Sequence, residues 1–222
     1  MIFKIILLVI SLPFIIHFSI KFAKHKSLYP FMPLKYNFRR RRDTFAKTLK
    51  LLTERSAKLI IETGTSREGL KATRGDGAAT IVFGKWAQQN NAKLHSVDIS
   101  EDSVKGSQDE VNKQGLSDTV TVHLSNSLVF LDKFTKPVDF LYLDSYDYSR
   151  TDKEIQIKSQ EHHLKEFIAI EKQLHKNTIV LIDDCGLPGG GKGKIVVEYM
   201  LKKNWVVMMN AYQVLLVKKE SL

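Results

Sequence analysis

The sequence predicts an α/β domain: a mostly parallel, seven-stranded sheet with helices on both faces, closed by an antiparallel hairpin and preceded by an apolar N-terminal helix. Three observations carry that expectation. Short apolar runs alternate with longer amphipathic stretches five times between residues 58 and 202, the pattern of strand–helix units in a parallel sheet. Two more apolar runs, Trp205–Met209 and Gln213–Lys218, lie a tight turn apart, too close for a helical crossover, so one of them runs antiparallel. Residues 2–20 are almost wholly apolar and are followed by a basic stretch.

The N-terminal run, IFKIILLVISLPFIIHFSI, would span about 28 Å as a helix, close to the hydrocarbon thickness of a bilayer. No small-x-small cleavage site follows it, so a signal anchor fits better than a cleaved leader, with a buried helix of the domain as the bland alternative. Residues 1–42 hold nine Lys or Arg and no acidic residue, whereas the other 180 residues hold 25 basic and 24 acidic side chains. The net charge of +10 therefore sits beside the apolar run, which points to an anionic lipid surface rather than to nucleic acid. The positive-inside rule would put the folded domain of such a single-pass membrane protein in the cytoplasm. The expected division is 1–22 transmembrane signal anchor, 23–42 basic juxtamembrane linker and 43–222 folded domain. Pro30 and Pro33 interrupt helix in the linker, where Tyr29, Phe31 and Tyr36 could lie at headgroup level. A single cysteine, Cys185, rules out an intrachain disulfide and fits a reducing compartment. The sequence leaves the oligomeric state open.

Within the domain, Asp43 can cap a helix to about Ser56, with Phe45, Leu49 and Leu52 forming its apolar stripe. Lys58–Glu62 is a strand and Asp76–Gln89 a helix after a Gly-containing loop. Lys93–Asp98 is a strand, Glu101–Gln114 a helix ended by Gly115, Thr119–Leu124 a strand and Leu128–Phe134 a short helix. Val138–Leu143 is a strand, Lys153–His175 a long helix, Thr178–Asp183 a strand and Lys194–Lys202 a helix before the final hairpin. Leu164, Phe167, Ile168 and Leu174 would be the buried face of the long helix, leaving His162 solvated and His163 at the stripe's edge.

Ligands of an open α/β sheet bind beyond the carboxyl ends of its strands. Those ends carry Glu62-Thr63-Gly64-Thr65-Ser66, then Asp98-Ile99, then Ser125-Asn126-Ser127, then Asp144 with Asp147 a short turn on, then Asp183-Asp184. Gly64 lets backbone approach a ligand, Asp98 can accept two ribose hydroxyls, and Asn126 and Ser127 suit an adenine edge. One polar strand end is unremarkable; five in register are far more specific.

On these residues the chain from about Lys58 to Lys218 resembles the class I S-adenosylmethionine-dependent methyltransferases, whose Rossmann-like sheet ends in a reversed hairpin. It is most similar to the small O-methyltransferase branch of the catechol and macrocin-type sugar enzymes. The family's first motif matches Glu62-Thr63-Gly64-Thr65, its ribose acid Asp98, its acid after strand four Asp144 and its acid after strand five Asp184. The resemblance implies S-adenosylmethionine as cofactor, held by Glu62 to Ser66, Asp98, Ile99, Asn126, Ser127 and Asp144, and a hydroxyl of a sugar, glycolipid or other small molecule as acceptor. Three departures stand out: a long first loop (SREGLKATRGDGAAT), Cys185 where the catechol enzymes complete a metal site with Asn, and no Lys shortly after Asp144.

Clustered carboxylates repel unless something neutralises them, so Asp144, Asp183 and Asp184 are candidate ligands for Mg²⁺, which would acidify a vicinal diol. Asp144, Asp147 and His163 are the candidate catalytic residues; without metal, Asp147, His162 or His163 could serve as the base. Gly186–Gly193 nearly matches a phosphate-binding loop, but position 193 lacks the hydroxyl such loops need, so it is read as a flexible gating loop offering Lys192 and Lys194 to an anionic acceptor. The rival readings are an NAD-dependent oxidoreductase, disfavoured by the absence of a compact GxGxxG, a hydroxylase-like enzyme on the same scaffold, and a non-catalytic binding module.

Overall fold

A computed structural model describes residues 2–222, the side chains of residues 2–8, 10 and 25 apart. Helix α1 covers Ile2–His25 and α2 covers Arg42–Glu54. Then come β1 (Leu59–Thr63), α3 (Ala79–Gln89), β2 (Lys93–Asp98), α4 (Glu101–Lys113), β3 (Val120–Leu124) and α5 (Ser127–Asp132). The second half holds β4 (Val138–Leu143), α6 (Lys153–Ile170), β5 (Leu174–Ile182), α7 (Lys194–Leu201), β6 (Trp205–Asn210) and β7 (Val214–Lys218). The sheet runs β3-β2-β1-β4-β5-β7-β6, parallel through β5, with β7 antiparallel to both its neighbours. The expected reversed hairpin is therefore formed by inserting β7 between β5 and β6.

Every central strand is apolar on both faces, as a sheet covered by helices on each side requires. Ile60, Phe140, Tyr142, Ile179, Leu181, Leu215 and Val217 face α2 and α3. Their neighbours Ile61, Leu141, Leu143, Val180, Ile182 and Leu216 face α6 and α7. Side-chain caps fix the helix starts at the carboxyl edge. Ser100 accepts from Ser103 N, Asn126 from Leu128 N and Val129 N, and Asp152 from Glu154 N and Ile155 N. Order reverses between β1 and β4, which places the crevice beside Gly64 and Asp144.

Among the described residues no helix is long and apolar enough to cross a membrane. This overturns the expected transmembrane signal anchor, the single-pass membrane assignment and the cytoplasmic orientation derived from it. Pro13 lies inside α1, and Ser11, His17, Ser19, Lys21 and Lys24 break its apolar character. The stretch expected to be a juxtamembrane linker packs onto the domain: Leu28, Met32, Phe38 and Arg41 are buried, and Phe31 and Tyr36 lean on the same core. Of the three aromatics expected at a headgroup layer, only Tyr29 is exposed.

Two helices differ from expectation. α3 starts at Ala79 rather than Asp76, because residues 75–78 wrap around Arg41, with Gly77 at φ +82° and Ala78 at φ +52°. α6 stops at Ile170, and chain that would have extended it enters β5, where Leu174 pairs with Val138 and Thr178 Oγ1 donates to Val138 O at 2.6 Å.

Phe83 of α3 meets Phe45 of α2 and Phe140 of β4 edge-on, with ring centroids 5.1 and 4.8 Å apart, and packs on Tyr142. Phe83→Ala should therefore lower stability by about 3–5 kcal/mol, read from urea unfolding of the full chain. A loss below about 1 kcal/mol would contradict this packing.

Candidate active site

Two cavities open along the carboxyl edge and share Gly64, Arg67, Asp98, Ser145 and Asp147. The larger, about 660 Å³, is walled by Asp98, Ile99, Ser103, Asn126, Leu128 and His162 among others. That size suits a small-molecule ligand. The smaller, about 200 Å³, reaches down to Glu62, Asp144, Asp184, Arg41 and Lys192.

In the larger cavity Asp98 is oriented by backbone: Oδ2 accepts from Thr65 N at 3.1 Å and Oδ1 from Ser100 N at 2.9 Å. Its remaining lone pairs line the cavity. Ile99 stands beside it 71% exposed, an apolar surface inside a concave wall. Asn126 Oδ1 is consumed in capping α5, which leaves the amide nitrogen as the group it can offer. Gly64, at φ +79°, sits so close to the β4 end that an added Cβ would strike Asp144 O and lie 2.9 Å from Ser145 Cα.

The smaller cavity is floored by a buried ring of charges. Arg41 Nε donates to Asp183 Oδ2 at 2.7 Å, Nη2 to Asp184 Oδ1 at 3.3 Å and Nη1 to Gly75 O at 2.7 Å. Tyr142 OH lies 2.9 Å from Asp183 Oδ2 and 3.3 Å from Asp144 Oδ2. Lys192 Nζ donates to Asp144 Oδ1 at 2.7 Å and lies 3.4 Å from Asp184 Oδ2. Tyr212 donates to Asp184 Oδ1, and its ring lies under the Arg41 guanidinium at 5.0 Å. Burial penalises the charge on Asp183, but Arg41 and Lys192 outweigh it and hold that carboxyl below its ordinary value. Asp144 is pushed the other way, by burial and then by the Asp183 charge, with Lys192 opposing.

Residues 74–185, half of the chain, match the family described as a methyltransferase domain. The chain belongs to this family. No curated protein matches this methyltransferase in sequence. Solved structures share its fold. Podospora anserina methyltransferase PaMTH1, bound to SAH, is 13% identical over 91% of this chain and 87% of its own, with a TM-score of 0.58. A Bacillus cereus O-methyltransferase in complex with SAH is 16% identical over 79% and 81%, with a TM-score of 0.54. A Geobacter sulfurreducens methyltransferase is 14% identical over 79% and 77%, with a TM-score of 0.53. The methyltransferase resemblance drawn above from the strand ends is thus borne out by the family match, and the solved structures share its fold.

Of the residues expected in the methyltransferase site, Glu62, Gly64, Thr65, Ser66, Asp98, Ile99, Asn126, Ser127, Asp144, Asp147 and Asp184 line the two cavities. Thr63, Asp183 and His163 do not. Thr63 points below the edge, its Oγ1 donating to Glu166 Oε2 at 3.1 Å. His163 is fully buried, donates from Nδ1 to Ser159 O at 2.7 Å, and burial pushes it down to about 4. Its neighbour His162, expected in solvent, instead lines the larger cavity, 3.2 Å from both Ser127 Oγ and Glu166 Oε1. The buried face of α6 is mainly polar: Gln156, Ser159, Gln160, His163 and Glu166 are buried with Phe167 and Ile170, while Ile168 is 47% exposed.

The expected metal site at Asp144, Asp183 and Asp184 is also overturned. Among the described residues no group of three or more His, Cys, Asp or Glu side chains could hold a metal ion. Asp183 faces Arg41 at full burial, and Asp144 and Asp184 share Lys192, so internal cations neutralise the cluster. Arg41, Tyr142, Tyr212 and Asp76 were absent from the expected site. Arg41 carried a usable signal: it precedes Phe45, Leu49 and Leu52 by one, two and three turns on the buried stripe of α2.

Glu62 is fully buried, and Ser96 Oγ and Thr80 Oγ1 donate to its Oε2 at 2.6 and 2.7 Å. Burial pushes it up to about 8 despite those bonds. Between its unfolded value near 4.5 and about 8 the native state holds a proton that the unfolded chain lacks, so this residue's contribution to stability falls as pH rises through that window. Glu62→Gln should flatten the stability profile there, removing a slope of up to about 1.4 kcal/mol per pH unit in denaturant titrations. An unchanged slope would refute a buried, protonated Glu62.

Proposed function

We propose that this methyltransferase moves the methyl group of S-adenosylmethionine to a hydroxyl of a small acceptor, such as a sugar. The supporting observation is the pairing of cavities: a backbone-oriented carboxylate beside an exposed isoleucine in one, and a carboxylate bridged to a lysine in the other. The first pair fits a nucleoside. Asp98 would accept the ribose hydroxyls, Ile99 would cover one face of the base, and Asn126 and Ser127 would meet its polar edge. Gly64, Thr65 and Ser66 would offer backbone where the chain turns off β1, with neutral Glu62 beneath them as a hydrogen-bonding partner. When bound, the cofactor supplies an already activated methyl on sulfonium.

What the chain itself contributes is alignment and proton removal. Asp144 is the candidate base: its raised affinity for a proton comes from burial and the Asp183 charge, and it lines the smaller cavity next to the shared wall at Ser145. Asp147 stands at the mouth, 86% exposed and 3.5 Å from Arg67, better suited to orienting an acceptor than to taking its proton. His163 lies behind the cavity walls and has no route to an acceptor in this arrangement.

Calorimetry on the full chain with S-adenosylmethionine, S-adenosylhomocysteine and NAD checks the cofactor. The two adenosyl-sulfur ligands should bind and NAD should not; NAD binding alone would favour the oxidoreductase reading. Asp98→Ala should weaken S-adenosylhomocysteine by about tenfold or more, since charge-assisted hydrogen bonds are lost. Parental affinity in that variant would remove Asp98 from the ribose site. Asp144→Asn should keep affinity for S-adenosylhomocysteine within about threefold while transfer of labelled methyl to hydroxyl acceptors falls by about 100-fold or more. Undiminished transfer would exclude Asp144 as the base.

A further inference from the structure

The glycine-rich segment after β5 is tied to α6 and carries a lysine into the charged cavity. Gln160 Nε2 donates to Gly189 O at 3.2 Å and to Gly191 O at 3.0 Å, and Tyr148 OH donates to Pro188 O at 2.6 Å. Gly191, at φ +57°, has no room for a Cβ, which would strike Asp184 O and lie 2.7 Å from Cys185 Cα. Backbone packed this tightly on Asp184 leaves Lys192 pointing at the β4 and β5 ends. Its side chain is 4% exposed, yet it lines the smaller cavity. An ammonium so placed is tolerable only when paired: it donates to Asp144 Oδ1 at 2.7 Å and to Asp144 O at 3.3 Å, and lies 3.4 Å from Asp184 Oδ2. Arg41 differs, because two of its three nitrogens make 2.7 Å hydrogen bonds, to Asp183 Oδ2 and Gly75 O, and the third reaches Asp184 Oδ1 at 3.3 Å.

We propose that Lys192 is the resident cation of the acceptor cavity: its ammonium occupies the place between Asp144 and Asp184 that a divalent ion would need, and its two longer contacts, to Asp144 O and Asp184 Oδ2, are the ones an acceptor oxygen would replace. The occupancy rests on geometry alone; the role toward an acceptor oxygen rests on the hydroxyl-transfer reading above. A fixed ammonium provides a single charge with three directed donors, enough to anchor and polarise an oxygen without an exchangeable ion. The three carboxylates converge without a metal because the two cations that offset them are covalent parts of the chain.

The test is Mn²⁺ binding to the full chain, followed as loss of the free-ion paramagnetic resonance signal. The parent should take up no Mn²⁺ at this site. Lys192→Ala and Lys192→Gln uncover Asp144 and Asp184 and should bind Mn²⁺ at least about tenfold more tightly than any background binding by the parent, with that gain abolished by adding Asp144→Asn. Lys192→Arg, which keeps the charge, should behave as the parent. Parental Mn²⁺ binding that Asp144→Asn removes would overturn the proposal. So would alanine and glutamine variants that bind no better than the parent. The glutamine variant keeps most of the stem, so the comparison survives if the alanine variant does not fold. S-adenosylhomocysteine titrated into the same samples separates the two ideas: failure of every sample to bind it would sink the methyltransferase reading, while the Mn²⁺ outcome would still decide the occupancy.

Discussion

The carboxyl edge of this sheet is organised around one buried ion pair, Arg41 with Asp183, at 2.7 Å. Asp183 is fully buried at the end of a central strand, where an unpaired carboxylate would be strongly destabilising. The guanidinium that neutralises it comes from just before α2, and placing it there dictates much else. Residues 75–78 must curl around it, which delays α3. Gly77 must lack a side chain, since a Cβ would lie 2.6 Å from Arg41 Cδ. The turn between β6 and β7 must bring Tyr212 alongside, with its ring at cation–π distance. Such a pair adds little net stability compared with an apolar core, but losing either member leaves the other stranded.

From that pair the charges divide the crevice into two unlike halves. Near α5 the wall mixes Ile99, Val97 and Leu128 with oriented polar groups, the usual makeup of a site for a nucleoside-sized molecule. Near β4 and β5 the wall is almost wholly ionic, and it sits on Tyr142, whose hydroxyl joins Asp183 to Asp144 and is itself held by Gln213 Nε2 at 3.1 Å. The two halves meet at Gly64, where β1 and β4 approach too closely for any side chain. A ligand spanning both would pass over the one place where the protein has least bulk.

Much of the sheet could be read from residue pattern, because strands buried on both faces are continuous apolar runs and the polar groups collect where those runs end. All seven strands were legible, as was the reversal at the end, and most of the cavity wall followed from listing what closes each strand. The misreadings share a physical origin. Arg41 was grouped with its three basic neighbours by composition, although its spacing from Phe45 put it on the buried stripe. On α6 a search for apolar periodicity settled on Ile168, while the helix buries Gln156, Gln160, His163 and Glu166, which satisfy backbone and hydroxyl partners rather than a greasy surface. The carboxylate cluster suggested a metal because its neutralising partners lie elsewhere in the sequence: Arg41 more than 100 residues before it, and Lys192 beyond the glycine-rich turn that follows Asp184.

The origin of Arg41 also bears on where the working unit of this protein begins. A shortened chain starting at Asp43, where the charge pattern changes, would contain every strand and every cavity-lining residue but one. It would nonetheless leave Asp183 without its guanidinium partner, and would strip Met32 and Phe38 from the layer that covers α2. The packed core therefore reaches back to Leu28, well upstream of the first strand, and the basic run that looks most like a tether lends one arginine to the wall of the smaller cavity.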